Sequence, residues 1–272
     1  TMSGKSTRPN IVELGKWRLP ITIIISIFSF FVIILPFITV AITSFTVNMG
    51  KPLTLSNLSL KAWEKVFSRA SIISSTTNSF ITATSAAFFG ILISCVMAYL
   101  LQRTNVKGKR IPDFLITLGS GTPSVTIALA LIISMSGKFG INIYNTLTIM
   151  VVAYMIKYML MGMRTVVSAM SQVHPSLEEA AQISGANWLR MLKDVTLPLI
   201  GASIVAGIFL IFMPSFYELT MSTLLYSSNT KTIGYELYIY QTYHSQQVAS
   251  ALATAILLFV ILVNYILNKL TK

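Results

Sequence analysis

Six stretches of this sequence, at about 19–45, 76–101, 112–135, 142–163, 196–219 and 246–268, are apolar for twenty residues or more. A hydrocarbon layer roughly 30 Å thick needs about 20 residues of helix, rising about 1.5 Å each, to cross it. The chain therefore reads as an all-α polytopic membrane protein with six transmembrane helices. Charged residues make up 10% of it, where soluble proteins average about 25%, and this excludes a soluble globule. The first run exceeds the roughly 7–15-residue core of a secretion signal and lacks a persuasive small-residue cleavage site after it, so it reads as a true span.

The net charge of +12 would suggest nucleic acid in a soluble domain. Here the bases sit in short segments between apolar runs, where they orient helices, so nucleic acid is not a partner and the lipid bilayer is. Thirteen Lys and Arg fall on one side of a six-span chain: Lys5, Arg8, Lys16, Arg18, Arg103, Lys107, Lys109, Arg110, Arg164, Arg190, Lys193, Lys269 and Lys272. Six fall on the other: Lys51, Lys61, Lys65, Arg69, Lys138 and Lys231. The richer side is cytoplasmic by the positive-inside bias, which puts both termini there. Lys157 is the one base left inside a span. Seven residues from Arg164, it is expected to snorkel toward the cytoplasmic edge.

Residues 58–70 read as an amphipathic helix in the outer interface, with Leu60, Trp63, Phe67 and Ala70 opposite Lys61, Glu64, Lys65 and Arg69. The hydroxyl residues of the second span and the Gly119-Ser120-Gly121-Thr122-Pro123 break in the third favour close helix packing, and the break is also a place to bend or unwind. Cys95, the one cysteine, excludes an intrachain disulfide and a multi-cysteine metal site, and the methionines from Met150 to Met163 read as adaptable packing.

The loop at about 174–196 is unlike its surroundings. Pro175, Ser176 and Glu179 read as a capped helix start. Leu177, Ala181, Trp188, Leu192 and Val195 form an apolar stripe, Gly185 marks a bend between two short helices, and Pro198 suits the first turn of the next span. By these features alone the loop is either a helix-turn-helix that steadies the bundle or a docking element.

Glu179-Ala180-Ala181, three residues, Gly185, nine residues, then Val195-x-Leu197-Pro198 resembles the EAA loop of inner-membrane permease subunits of binding-protein-dependent ABC importers. Val195 stands where the family pattern has Ile. The resemblance extends to Asn78-Ser79-Phe80, to Ala98-Tyr99-Leu100-Leu101 with Arg103, and to Pro175. It implies a type I importer permease fold, in which Glu179, Ala180, Ala181, Gly185, Leu197 and Pro198 couple the chain to an ATPase subunit. It also implies a second six-span half, an extracytoplasmic solute-binding protein, and a place in the bacterial cytoplasmic membrane. No cofactor is expected in this chain, and ATP and magnesium belong to the partner subunits. Gly4-Lys5-Ser6 matches only the tail of a phosphate loop and lacks its upstream glycine and strand.

Two stretches are similar to the ferric-iron branch of these permeases. One is Glu218-Leu219-Thr220-Met221-Ser222-Thr223-Leu224-Leu225, with Thr220 in place of a proline. The other is the N-terminal 1–18, similar to the linker before the second half of fused members. The domain reading is thus a linker at 1–18 and a permease domain at 19–272. Ferric iron is the expected solute, with a phosphonate or polyamine as alternatives. A self-sufficient secondary transporter is the rival from another class, and it would more usually carry carboxylates near mid-span, where this chain has none. An intramembrane enzyme lacks a catalytic cluster here. Glu218, with Ser215, Tyr217 and Asn78, is expected at the outer mouth. There Glu218 would touch the solute or hold the gate through hydroxyls of the second or third span.

Overall fold

The computed structural model describes residues 14–270. Within them eleven helices follow one another, and none of the described residues belongs to a β-strand ladder. They are α1 (Gly15–Thr43), α2 (Lys61–Ser68), α3 (Ala70–Arg103), α4 (Arg110–Gly121), α5 (Ser124–Ser134), α6 (Leu147–Gln172), α7 (Pro175–Ile183), α8 (Trp188–Phe216), α9 (Thr220–Leu225), α10 (Ile233–Tyr243) and α11 (Gln246–Leu270). Five of them are long and apolar enough to cross a membrane singly, and α4 with α5 meets the same test as a pair bent by 112°, the geometry of a broken span or a re-entrant loop. Of the proposed N-terminal linker, residues 1–13 lie outside the described part.

The bend falls at Gly121-Thr122-Pro123, where the sequence allowed an unwound turn. Pro123 cannot donate to the helix and pushes Thr122 to extended backbone, so α4 ends there. The pair follows α6 from Arg164 up to Ile149. Asp113 and Thr117 meet Arg164 of α6, Gly119 packs on Ile156, and α5 shares a core with Ile149, Met150 and Tyr154.

Helices α3, α6 and α8 form the centre. They cross at Gly90, Gly162 and Gly207, where a Cβ on Gly162 would lie 2.7 Å from Ile211 and one on Gly207 2.8 Å from Ile91. Lipid tails are as apolar as leucine and provide no drive to exclude side chains. Close backbone approach at small residues is what lets such helices associate. On the basal side of this crossing, Ala98, Val166, Met170 and Ile200 interlock; on the apical side, Ala86, Met150, Tyr154, Met221 and Leu225 do. The apical end also carries α2, whose Ala62 and Val66 are buried against α3 and α11. On its other face Leu60 and Phe67 are 67% and 70% exposed, as the apolar side of an interfacial helix would be. Trp63 instead donates to Ser44 at 3.1 Å and stacks between Phe45 and Phe67.

One span begins earlier and another runs later than its apolar stretch. The sequence placed the fifth span at 196 with Pro198 in its first turn, but α8 is continuous from Trp188. A π turn at Leu192–Thr196 widens the helix just before the proline, and another at Phe30–Ile34 does the same before Pro36 in α1. The wider turn relieves the ring of the i−4 carbonyl. Helix α6 runs to Gln172 rather than 163, because Val166 and Met170 continue its buried face at helical spacing.

Candidate functional site

The loop joining α6 to α8 projects from the basal end, beside the end of α3. His174, not Ser176, caps α7: its Nδ1 accepts from the Ser176 amide at 3.3 Å and lies 2.8 Å from the Ser176 hydroxyl. The reciprocal box expected between Ser176 and Glu179 is absent. Proline at the first helical position leaves an ordinary orphan donor unmissed. At the other end Gly185 has φ +89°. Its amide donates to Gln182 O at 2.9 Å and the Ala186 amide to Ala181 O at 3.0 Å, a Schellman closure that a left-handed residue makes possible. Asn187 then caps α8 through Oδ1, which accepts from the Arg190 amide at 2.8 Å.

The residue that fixes this loop is Glu178, the neighbour of the one singled out by sequence. It is 6% exposed. Its Oε2 lies 3.0 Å from Arg103 Nε, and its Oε1 accepts from Thr196 Oγ1 at 3.0 Å. Arg103 also donates to Val173 O at 2.7 Å and Met170 O at 3.3 Å, so one guanidinium ties the ends of α3 and α6 to α7. Trp188 Nε1 donates to Tyr99 OH at 2.8 Å and Gln182 Nε2 reaches Met191 Sδ at 3.2 Å, completing the seat. The apolar stripe is divided: Ala181, Leu192 and Val195 are partly buried, Leu177 and Trp188 are half exposed, and Ile183, outside the stripe, is 88% exposed. Glu179, Ala180 and Gly185 lie on that outer surface, Ala181 is half-buried beneath it, and Leu197 and Pro198 are exposed residues of α8 beyond the π turn. The signal for Glu178 was the pairing of a buried acid with Arg103, and only the packing reveals that burial.

The apical group differs from expectation. Glu218 is 6% exposed and does not bond hydroxyls of the second or third span. Its Oε2 accepts from the amides of Met221 (2.8 Å) and Ser222 (3.1 Å), capping α9, while Ser222 Oγ donates to Glu218 O and meets Tyr154 OH at 2.6 Å. A Cβ at Gly234 would collide with the Glu218 carbonyl, so the α9 and α10 segments touch backbone to backbone. Ser215 turns its hydroxyl back to Ile211 O at 2.7 Å and is buried, so it reaches no mouth; Tyr217 is 42% exposed. Asn78 donates to Asn229 O (3.1 Å) and Lys231 O (2.9 Å), and Ser79 Oγ accepts from the Ile233 amide (2.8 Å). These two residues hold the 229–233 segment on α3. Glu236 is buried beside them, 3.4 Å from Ser75 Oγ; burial pushes its carboxyl up, and Lys231 opposes that shift.

Lys157 does not snorkel. The basal end of α6 lies fifteen residues away, at Gln172, and the ammonium instead donates to Ser120 O (3.0 Å) and Thr122 O (2.8 Å). A cation thus closes the carbonyl end of α4, where the broken span leaves acceptors unsatisfied. Towards the base, Arg164 donates to Thr117 Oγ1 (3.0 Å) and pairs with Asp113 (2.9 Å), and a basin of about 820 Å³ is lined by Arg164, Ser168, Gln172, His174 and Ser203. Among the described residues no group of three or more His, Cys, Asp or Glu is placed to hold a metal ion.

Residues 90–272 match the family described as binding-protein-dependent transport system inner membrane component. The chain is 25% identical to the ferric transport system permease protein FbpB of Actinobacillus pleuropneumoniae, over 98% of this chain and 38% of that protein. It is 27% identical to the trehalose/maltose transport system permease protein MalG of Thermococcus litoralis, over 87% of this chain and 89% of that one. A crystal structure of a bacterial ABC transporter that imports the acidic polysaccharide alginate superposes with a TM-score of 0.74 at 18% identity, covering 94% of this chain and 96% of that one. The chain spans 37–39% of the length of the ferric permeases it matches.

Proposed function

The chain belongs to the family of binding-protein-dependent transport system inner membrane components, and on that premise we propose that it is one translocation half of an ATP-driven importer of ferric iron. In this reading the basal end is cytoplasmic, as are both termini, and the membrane is the bacterial cytoplasmic one. The projecting α7 turn docks in an ATPase subunit through Glu179, Ala180, Ile183 and Gly185. ATP and magnesium are held by such subunits, a second six-span half completes the path, and an extracytoplasmic binding protein delivers solute to the apical end.

The observation that carries the reading is the contrast within one short loop. Glu178 is buried and anchored to α3 and α8, while Glu179, Ala180 and Gly185 beside it are exposed and Ile183 is left almost bare. A turn built only to steady the bundle would bury its apolar side chains, because each fully buried aliphatic side chain contributes about 1.5–3 kcal/mol. Exposure of this face fits a partner. Iron as cargo is supported by the similarity to ferric permeases and by the Glu218-Leu219 stretch; the similarity to a sugar permease favours another solute as the second reading.

Vesicles reconstituted with both halves, the ATPase and the loaded receptor test the proposal. Expected are receptor-stimulated hydrolysis and iron uptake that both require the ATPase. Uptake driven by an ion gradient without that subunit would make the chain a secondary transporter.

A further inference from the structure

Lys157 is ten residues into α6, about 15 Å from its apical end and so near the middle of a roughly 30 Å layer. A charge at that depth faces water or protein rather than lipid. Two of its donors are committed to the carbonyls of the α4–α5 break, and no third partner occurs among the described residues. No ion pair among them involves Lys157 either.

The same face of α6 continues towards the base through Met161, Arg164 and Ser168, spaced 4, 7 and 11 residues on, all exposed in this chain. It ends in the basin lined by Gln172 and His174. The neighbouring carboxylates are engaged elsewhere or with Arg164. Asp113 pairs with Arg164, Glu178 with Arg103, Glu218 caps α9, and Glu236 faces Ser75 at the apical end. This face is flanked by α4, which meets Lys157 through Ser120 and Thr122 and Arg164 through Asp113 and Thr117, and beyond that flank the uncompensated charge is positive.

We propose that Lys157 is an anion contact in the permeation path, and that the solute passes it as an anion: ferric ion wrapped in anionic oxygen ligands rather than the bare cation. This deepens the reading above and rests on it. A hard trivalent cation is repelled by an ammonium with an N–H left uncommitted. Oxygen ligands such as phosphate, which iron favours, reverse the sign of the encounter and accept that donor. The α4–α5 break then has two uses, ending a helix and fixing the ammonium where the solute must pass.

The complete importer in vesicles is offered receptor loaded with radiolabelled iron, with radiolabelled inorganic phosphate as the oxyanion outside. Expected is entry of iron and phosphate in a fixed ratio. Lys157→Arg should retain uptake, whereas Lys157→Met should lower it about tenfold, the low end of electrostatic focusing, with receptor-stimulated hydrolysis preserved. A second measurement needs no transport. With Cys95→Ser and Met161→Cys, a negatively charged methanethiosulfonate should react several-fold faster than its positively charged counterpart relative to a free thiol, and Lys157→Met should erase the preference. Iron entering without phosphate, wild-type uptake in Lys157→Met, or no preference for the anionic reagent would overturn the proposal. If hydrolysis is never receptor-stimulated in the wild type, the importer reading itself fails, while the reagent ratio still reports the field at Lys157.

Discussion

Replacing Arg103 by Met removes the clamp of the α7 seat. The Arg103 and Glu178 side chains are 9% and 8% exposed, so the acid would be left in a water-poor site with only Thr196 as a partner, and the carbonyls of Met170 and Val173 would lose a donor. Stranding one member of a buried pair costs about 3–5 kcal/mol. Three kcal/mol spent on the local seating equilibrium is a factor of about 150 in the docked population of α7. Glu178→Gln keeps the shape and an acceptor for Thr196 but loses the charge, for about 1.5–3 kcal/mol. The double variant should do less harm than the two singles added, because no buried charge is then unpaired. The assay is amide hydrogen exchange over residues 177–186 in the assembled importer, alongside receptor-stimulated ATP hydrolysis. Arg103→Met should speed exchange by one to two orders of magnitude and uncouple hydrolysis. Glu179→Gln, on the exposed face, should leave exchange unchanged and alter hydrolysis alone. Unchanged exchange in Arg103→Met, or equal effects of the two glutamates on exchange, would refute the anchoring argument.

At Gly185, the left-handed backbone predicts that Asn, which tolerates φ +89°, is folded and partly active, while Val is strained by roughly 1–2 kcal/mol and loses coupling; thermal denaturation and hydrolysis of the two variants check this. Open space around the Gly185 Cβ position means that any loss in the Asn variant beyond its small conformational cost reports on the partner surface. With Cys95→Ser, single cysteines at the exposed Asn105 and Asn229 should label with an impermeant thiol reagent from opposite sides of intact cells, Asn229 from outside; labelling of both from outside would refute the orientation.

The spans were legible because apolar length is a local property, written in consecutive residues. Their ends were less so: α8 begins eight residues before its apolar run, since a π turn lets a helix pass Pro198, and no composition rule marks such a turn. The EAA spacing located the loop and its left-handed glycine correctly. It could not tell which of two adjacent glutamates turns inward, because helical neighbours differ by about 100° and the choice depends on Arg103, 75 residues away. For the same reason the apolar stripe did not disclose that Ala181, Leu192 and Val195 are partly covered while Leu177 and Trp188 stay half exposed. Glu218 looked like a mouth residue because a carboxylate after an apolar run usually meets water; the amides of a six-residue helix claimed it instead. Lys157 was misjudged through one distance, that from Arg164, when the decisive partner was the carbonyl end of a broken helix on another span.

The glycine crossing at Gly90, Gly162 and Gly207 has a mechanical corollary. Three rods in contact at one waist, where only the ends of Ile91 and Ile211 reach the glycines, rock on one another like see-saws: the waist resists separation but offers little resistance to rocking. Along α3 the waist lies thirteen residues from Arg103 and twenty from Ala70, arms of about 20 Å and 30 Å. Drawing the basal tips together by about 2 Å therefore parts the apical tips by about 3 Å. A small closure imposed on the α7 seat is returned, enlarged and reversed, at the opposite face of the membrane.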